Sequence, residues 1–353
     1  MVICMRCWEL CSFGPDGLAP GERPEPVPGS CEVLVEIDAV ALNYRDLAIA
    51  RGVYAPAQPL PMVPASDAVG RVVAVGAEVD RWRIGDRVIG CYMQSWDRGP
   101  SERADRAHTL GSPLDGVLCE RRVFPAGFIV RAPERLTDVE CATLPIAALT
   151  AWCALFELAV ARPGETVLVQ GSGGVSTFVV QLGLAAGLKV VAVSRSAEKA
   201  AAIRALGVET VISSQTPDWG KAVLAATAGR GVDAVVDVGG ETSLPQSIAA
   251  SAQNGRIVAT GFLGGLSATI ELGPIITKNL TIRGVTVGSR ASFEAMLAFI
   301  ERASFRPVID SVFPFDAVPQ AYQRLASADQ HGKVCINLRE TQPRETQPRE
   351  TQP

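Results

Sequence analysis

The chain has 353 residues, enough for two domains at about 150 residues each. Apolar residues make up 48% and charged residues 20% of the chain, which is typical of globular proteins and excludes disorder over most of the length. Thirty-three Lys and Arg against 37 Asp and Glu give a formal charge of −4, which excludes the basic footprint of a nucleic-acid-binding protein. The expected partner is therefore a small molecule.

The cysteines and the N-terminus predict a cytoplasmic protein. The nine cysteines are an odd number scattered along the chain, and Arg6 and Glu9 interrupt the apolar stretch that a signal peptide needs. The longest apolar stretch, residues 144–161, contains a proline, a threonine and a glutamate, so it predicts a buried core helix and no membrane association. Cys4 and Cys7 would point to opposite faces of a strand, which argues against a metal site there.

The first 130 residues predict a small β-rich domain. Short alternating runs at 33–37, 69–75 and 88–91 are separated by proline and glycine. A polar insertion at 94–116 is longer than an ordinary connection, so we expect a functional loop that borders the active site.

From about residue 137 the pattern changes to apolar strands that alternate with amphipathic helices, which predicts a doubly wound parallel sheet. Strands are expected at 167–170, 190–193, 211–212, 234–238 and 257–260, with helices from about 175, over 197–206 and near 221. After residue 289 the pattern is helix, strand, helix and strand, which either extends this domain or returns to the first. The sequence RETQP occurs three times over 339–353 and predicts a low-complexity tail, for which an added tag is one interpretation.

A glycine-rich turn at residues 171–174 predicts a dinucleotide site. A buried strand leads into Gly171, Gly173 and Gly174, and a helix with apolar residues at i, i+3, i+4 and i+7 begins at Val175. The glycines allow a tight turn and close approach of a pyrophosphate to the positive end of the helix. Ser176 stands where the third glycine of GxGxxG is expected.

The residues after the next strand favour NADP(H) over NAD(H). An NAD site carries an acid about 20 residues past the glycines, whereas this chain has Ser194, Arg195 and, a turn later, Lys199. These side chains can bind a 2′-phosphate, although the alternative is that they are merely solvated. Two further strands also end in glycines, so their loops are expected to line the cofactor through Val238, Gly239, Gly261, Phe262 and Leu263.

Several short runs together resemble the medium-chain dehydrogenase/reductases, and the resemblance covers residues 1–338. They are Asn43-Tyr-Arg-Asp46, Ser66-Asp-Ala-Val-Gly70, Gly85-Asp-Arg-Val88, Leu149-Thr-Ala-Trp152, Gly173-Gly-Val-Ser176 and Gly332-Lys-Val334. The chain is most similar to the zinc-free, quinone-oxidoreductase-like and alcohol-dehydrogenase-like members. The resemblance implies a GroES-like β-rich catalytic domain from residues 1–130 and 289–338, a Rossmann domain from 131–288, and an active site in the cleft between them.

The same resemblance predicts that no metal is bound. Zinc-dependent members have Cys, His and Cys or an acid at positions that match Asn43, Ser66 and Ile146 here, and this set is unsuited to zinc. The four closely spaced cysteines of a structural zinc site are also missing, because no cysteine follows Cys91 until Cys119.

Without a Lewis acid, the charge that develops on a substrate oxygen must be met by hydrogen-bond donors. The candidates are Asn43, Arg45 and Tyr54, and Tyr54 matches a family tyrosine and is the candidate proton donor, with an exposed turn tyrosine as the alternative. Asp46 matches a family acid that holds a neighbouring residue in place, and the role of Asp67 stays open. Thr150 matches a threonine that hydrogen-bonds the nicotinamide carboxamide, with a helix-interior threonine as the alternative. Val287 completes the expected cofactor contacts.

The predicted function is NADPH-dependent reduction of an activated double bond (enone, quinone or enoyl group) or of a carbonyl. Two alternatives remain, namely alcohol dehydrogenation or carbonyl reduction as the main activity, and NADPH binding without useful catalysis.

Residues 280–287 have the β-branched alternation of an edge strand, and in similar proteins that edge pairs across a two-fold axis, so we expect a homodimer.

Overall fold

The computed structural model describes residues 3–339. It contains a two-stranded ribbon, a seven-stranded sheet that is mostly antiparallel, and a six-stranded parallel sheet. The RETQP tail predicted for 339–353 lies, beyond Arg339, outside the described residues.

The first part of the chain builds the β-rich GroES-like domain. Its elements are β1 (Cys4–Leu10), β2 (Leu18–Pro24), β3 (Glu32–Ala41), α1 (Tyr44–Ala50), β4 (Asp67–Val75), β5 (Arg87–Gly90), β6 (Arg121–Pro125) and β7 (Ile129–Arg131). The strand β3 is the centre of the seven-stranded sheet because it pairs antiparallel with both β4 and β6. Its C-terminal half is fully buried, and it leads directly into α1, which has Asn43 at its N-cap and Arg45 in its first turn and is followed by Tyr54.

A helical segment joins the two domains at the place where the sequence predicts a buried core helix, residues 144–161. It begins with α2 (Asp138–Ala142), and α3 (Leu149–Trp152) is flanked on both sides by π-helical turns at Leu144–Ala148 and Cys153–Leu158. The predicted buried helix is confirmed from Leu144 to Leu158, with π turns on both sides of α3 that the apolar pattern did not predict. Pro145 has no backbone N–H to donate, and π turns commonly occur where regular helical hydrogen bonding is disturbed.

The parallel sheet follows and has the Rossmann arrangement. Its elements are β8 (Thr166–Gln170), α4 (Gly174–Ala185), β9 (Lys189–Ser194), α5 (Ala197–Ala205), β10 (Thr210–Ser213), α6 (Trp219–Ala226), β11 (Val232–Asp237), α7 (Leu244–Ala250), β12 (Ser251–Ala259), α8 (Leu272–Thr277) and β13 (Thr281–Gly284). The strand order is β10-β9-β8-β11-β12-β13. All carboxyl ends therefore meet at one edge, where ligands bind in sheets of this kind.

The last part of the chain returns to the first sheet. It forms α9 (Arg290–Arg302), β14 (Ile309–Pro314), α10 (Val318–Ala326) and β15 (Lys333–Asn337). The strand β15 pairs antiparallel with β3, while β14 pairs parallel with β15. This pairing carries residue 333 from the far end of the chain to the start of α1.

The strand β13 is shorter than the predicted strand at 280–287. It ends at Gly284, although the Val285 N–H still donates to Ala259 O at 3.1 Å. Val287 has φ +123, a left-handed backbone conformation that a strand does not contain. The chain therefore leaves the sheet edge before α9 begins.

Candidate functional site

The glycine turn after β8 forms an open cradle. Gly171 has φ +73, and its N–H donates to Val193 O at 2.8 Å, which joins the ends of β8 and β9. A Cβ added at Gly171 or Gly173 would meet nothing within 4 Å, so there is space beside this backbone. The Ser172 hydroxyl is buried and has no hydrogen-bond partner among residues 3–339. These features, at the N-terminus of the twelve-residue α4, fit a pyrophosphate.

The structure accommodates a serine at position 176, where the GxGxxG motif has its third glycine. The side chain is buried, and its hydroxyl donates to Gln170 O at 2.6 Å, back to the last residue of β8. A small side chain is therefore accommodated and adds a bond between strand and helix. The neighbouring Val175 lies in the first turn of α4.

A buried carboxylate holds the ends of β8 and β11 together. Asp237 is fully buried, and its Oδ1 accepts hydrogen bonds from the N–H groups of Gly239 and Gly240 and from the Ser243 hydroxyl. Its Oδ2 accepts from Ser247 Oγ at 2.6 Å and from Gln170 Nε2 at 3.2 Å. Five donors thus fix the loop that contains Val238 and Gly239.

The next loop closes against this one and reaches the first domain. The Leu263 N–H donates to Val238 O at 3.2 Å, and a Cβ on Gly261 would lie 2.8 Å from that same carbonyl, so glycine allows the close approach. The ring of Phe262 meets the ring of Tyr44 edge to face, with the centroids 6.4 Å apart. The predicted cofactor loops therefore lie together, and one of them touches α1.

The residues predicted to bind a 2′-phosphate lie at the end of β9 and in the first turn of α5, and they make hydrogen bonds within the protein. Arg195 Nη2 donates to Ala328 O at 2.6 Å and to Asp329 Oδ1 at 2.9 Å, and Lys199 Nζ donates to Ala328 O at 2.6 Å. Burial and the nearby Arg195 guanidinium lower the pKa of Lys199. Ser194 donates to Ser196 O at 3.3 Å. The Arg195 side chain is still 54% exposed, as a solvated side chain is, and a phosphate would have to exchange with Asp329.

Thr150 and Val287 are both buried near the junction of the domains. Thr150 lies on α3, and a Cβ added at Gly288 would come within 2.9 Å of Leu149 Cγ on that helix. The chain after Val287 therefore runs against the helix that carries Thr150.

Asn43 stands at the start of α1, in a buried polar cluster. Its N–H donates to Asp46 Oδ2 at 2.7 Å, so Asp46 holds the first turn of the helix. Its side-chain Nδ2 donates to Asp67 Oδ2 at 2.9 Å, and Lys333 Nζ donates to its Oδ1 at 2.5 Å. Burial raises the pKa of Asp67 to about 6, against the opposing effects of the Lys333 ammonium and of the Asn43 hydrogen bond.

Arg45 and Tyr54 form a second group with a residue that sequence reasoning missed. The Arg45 guanidinium lies over the rings of Tyr54 and Tyr92, 5.3 and 5.0 Å from their centroids, and donates to Leu110 O and Ser112 O. Burial raises the pKa of Tyr92 to about 12. Tyr54 is 46% exposed, as a residue that meets a substrate can be. The insertion at 94–116 thus borders this group through two of its carbonyls.

The positions that match zinc ligands hold no suitable set of donors. The Ser66 hydroxyl is buried without a partner in the described range, and Ile146 offers only its N–H, which donates to Asp67 Oδ2 at 3.3 Å. Across residues 3–339, no group of three or more His, Cys, Asp or Glu side chains is arranged to hold a metal ion.

Lys333 is the other residue in contact with the site that sequence reasoning missed. The run Gly332-Lys-Val334 is part of the resemblance, but it says nothing about where the side chain goes. Nothing near residue 333 in sequence points to residue 43, whereas the β15–β3 pairing brings the two together.

Comparison with known proteins identifies the family. Residues 29–134 match the alcohol dehydrogenase GroES-like domain, and residues 174–302 match the zinc-binding dehydrogenase domain. A zinc-type alcohol dehydrogenase-like protein of Schizosaccharomyces pombe is 41% identical over 336 residues, which are 92% of this chain and 96% of the relative. The chain belongs to the medium-chain dehydrogenase/reductase superfamily. Its ligand positions nevertheless differ from those of the superfamily's zinc-dependent members.

Other members of the superfamily carry different activities in their names. A quinone oxidoreductase of Mus musculus is 30% identical over 89% of this chain and 91% of its own length. An acryloyl-coenzyme A reductase of Sulfurisphaera tokodaii is 28% identical over 89% of this chain and 95% of its own length. The chain is therefore an oxidoreductase of this superfamily.

Solved structures of the superfamily show the same fold. A putative alcohol dehydrogenase from Sinorhizobium meliloti superposes with a TM-score of 0.90 at 38% identity, covering 96% of this chain and 99% of that one. A 2-octenoyl-CoA carboxylase reductase in complex with NADP superposes with a TM-score of 0.82 at 25% identity, covering 95% of this chain and 87% of that one.

The helices described between residues 3 and 339 include none with the length and apolar character to span a bilayer.

Proposed function

We propose that this protein is an NADPH-dependent, zinc-independent oxidoreductase that reduces an activated C=C bond (enone, quinone or enoyl group) or a carbonyl. The observation that carries the proposal is the pairing of an open glycine cradle with a set of donors that lacks zinc ligands. The relatives named quinone oxidoreductase and acryloyl-coenzyme A reductase, and the neighbour in complex with NADP, support it.

The cofactor-binding residues each have a distinct task. The cradle at Gly171, Gly173 and Gly174 would hold the pyrophosphate, because its N–H groups lie at the positive end of α4. Arg195, just after β9, and Lys199, in the first turn of α5, would bind the 2′-phosphate in exchange for Asp329 and Ala328 O. When bound, the reduced nicotinamide supplies a hydride.

The first domain would stabilise the charge that reduction places on the substrate oxygen. Asn43 has one side-chain N–H left after its bond to Asp67, and Tyr54, which is 46% exposed, has a hydroxyl that can donate a proton. Arg45 lies over the Tyr54 ring and adds positive charge nearby. An enolate is delocalised, so a few such donors can stabilise it. Deprotonating a simple alcohol needs stronger stabilisation of the alkoxide, which a zinc ion provides in the zinc-dependent members.

A substrate screen tests the reaction. Purified protein is incubated with NADPH and a panel of enones, quinones, enoyl thioesters, aldehydes and ketones, with and without a chelator, and NADPH oxidation is followed. We expect turnover of the conjugated substrates that a chelator leaves unchanged. Oxidation of simple alcohols alone would support an alcohol dehydrogenase, and tight NADPH binding with no turnover would support a binding protein. Either outcome would contradict the proposal.

We also propose a homodimer that forms through β13, the outer strand of the parallel sheet. The strand leaves one edge unpaired within the described chain, Ile282 is 37% exposed on it, and Leu272 and Ile276 on the preceding α8 are 64% and 70% exposed. An unpaired edge strand beside exposed apolar side chains favours pairing with a second copy. Light scattering at micromolar concentration should give twice the chain mass, and Ile276→Glu should lower it, whereas a monomeric wild type would contradict the proposal.

A further inference from the structure

The side chain of Lys333 crosses from the glycine cradle to the donor site of the first domain. Gly332, just before it, donates its N–H to Ser172 O at 2.9 Å, so Lys333 starts beside the cradle. A Cβ on Gly174 would lie 2.7 Å from Lys333 Cδ, which means that glycine at this position lets the side chain pass the start of α4. Lys333 is only 3% exposed, which is exceptional for a lysine.

The Lys333 ammonium group contacts the side-chain amide of Asn43, which contacts the Asp67 carboxylate on its other side. Lys333 Nζ lies 2.5 Å from Asn43 Oδ1, and Asp67 Oδ2 lies 2.9 Å from Asn43 Nδ2. An ammonium group can only donate and a carboxylate can only accept, so both neighbours select the same orientation of the amide. One N–H of Asn43 remains, and in a buried site the two charges polarise it into a stronger donor.

A simpler role, in which Lys333 only neutralises Asp67, does not account for the geometry. Lys333 Nζ stays 3.8 Å from Asp67 Oδ2 but makes a short hydrogen bond to the amide. The amide therefore lies between the charges and takes part in both contacts.

We propose that Lys333 is a positioning residue: together with Asp67 it fixes the Asn43 amide so that its remaining N–H is presented to the substrate oxygen. This inference rests on the proposed function, in which Asn43 stabilises charge on that oxygen. Because Lys333 also packs over Gly174, the same side chain ties the orientation of the donor to the start of the cofactor-binding helix.

A double-mutant cycle tests whether Lys333 acts through Asn43. We expect Lys333→Met to lower kcat by about 10²-fold, the usual effect of losing one donor to an oxyanion, with a similar loss in Asn43→Ala. The double variant should be no slower than Asn43→Ala alone, and Lys333→Arg should recover most of kcat. Losses that multiply in the double variant would show that the two residues act independently and would overturn the proposal.

Coenzyme affinity separates this role from direct binding of the coenzyme. The dissociation constant of NADPH, measured by fluorescence, should change less than threefold in Lys333→Met. Lys221→Met, at an exposed lysine paired with Asp218, is the matched control and should leave both kcat and affinity unchanged. A large loss of NADPH affinity with kcat retained would mean that Lys333 binds the coenzyme and does not position Asn43.

A third measurement does not depend on turnover. In ¹H–¹⁵N spectra the side-chain amide signal of Asn43, assigned by its loss in Asn43→Ala, should shift strongly in Lys333→Met and little in Lys333→Arg. If Lys333→Met fails to fold because Asp67 loses its cation, Lys333→Met/Asp67→Asn removes both charges and should show the same shift. An unchanged signal would overturn the proposal, while a wild type without any turnover would contradict only the proposed function.

Discussion

Replacing Asp67 with asparagine should change how the stability of this protein depends on pH. Asp67 is fully buried, and burial raises the pKa of its carboxyl from an ordinary 3.8 to about 6, although Lys333 and Asn43 act in the opposite direction and Asp46 adds to the rise. The folded chain therefore binds more protons than the unfolded chain between these two values. Folding stability must then fall as pH rises from about 4 to about 6.

The size of this effect follows from the two pKa values. A difference from 3.8 to about 6 corresponds to about 3 kcal/mol at 1.36 kcal/mol per pKa unit. The asparagine side chain does not titrate, so the free energy of unfolding of the wild type relative to Asp67→Asn should fall by about 3 kcal/mol between pH 3 and pH 8. The contribution is complete below the unfolded pKa and is lost above the folded one.

Urea unfolding of both proteins across this pH range measures the difference, because contributions common to both cancel. Asp86→Asn is the control of opposite sign, since a hydrogen bond from the backbone of Arg83 lowers the pKa of Asp86. Its stability difference should rise with pH. A difference for Asp67→Asn that is flat, or that rises with pH, would refute the reasoning about this buried carboxyl.

Three further substitutions test the cofactor and donor sites. Arg195→Asp should erase a preference for NADPH over NADH of at least ~10-fold in kcat/KM, because a charge-assisted hydrogen bond contributes about 1.5–3 kcal/mol, and an unchanged ratio would place the 2′-phosphate elsewhere. Tyr54→Phe should lower kcat by about 10²-fold while NADPH affinity stays the same, and full activity would assign protonation to another group. Asp237→Asn should reduce the free energy of unfolding by about 3 kcal/mol in urea, because an amide nitrogen then faces donors, whereas the exposed control Asp218→Asn should have little effect.

Local sequence patterns predicted the elements and the cofactor turn. The strand that ends at residue 170, the glycines after it and the helix expected from about residue 175 follow from periodicity and from the special backbone of glycine, which are properties of neighbouring residues. The unsuitability of Asn43, Ser66 and Ile146 as zinc ligands is likewise a matter of side-chain chemistry, once the positions are matched. These features were predicted because short-range order encodes them.

Local patterns failed where distant segments impose the outcome. The core helix expected at 144–161 contains two π turns and ends at Leu158, and the predicted edge strand ends at Gly284. The segment is buried between two packed domains, so tertiary packing decides its hydrogen bonding more than its apolar character does.

The partners of the site residues were decided by tertiary structure alone. Arg195 is 133 residues from Ala328, and Lys333 is 290 residues from Asn43, yet each pair is joined by a hydrogen bond. A sequence shows that a charged side chain exists, but its partner depends on which strands lie side by side. Here the pairing of β15 with β3 delivers a lysine to an amide at the other end of the chain, because antiparallel pairing aligns the start of one strand with the end of the other.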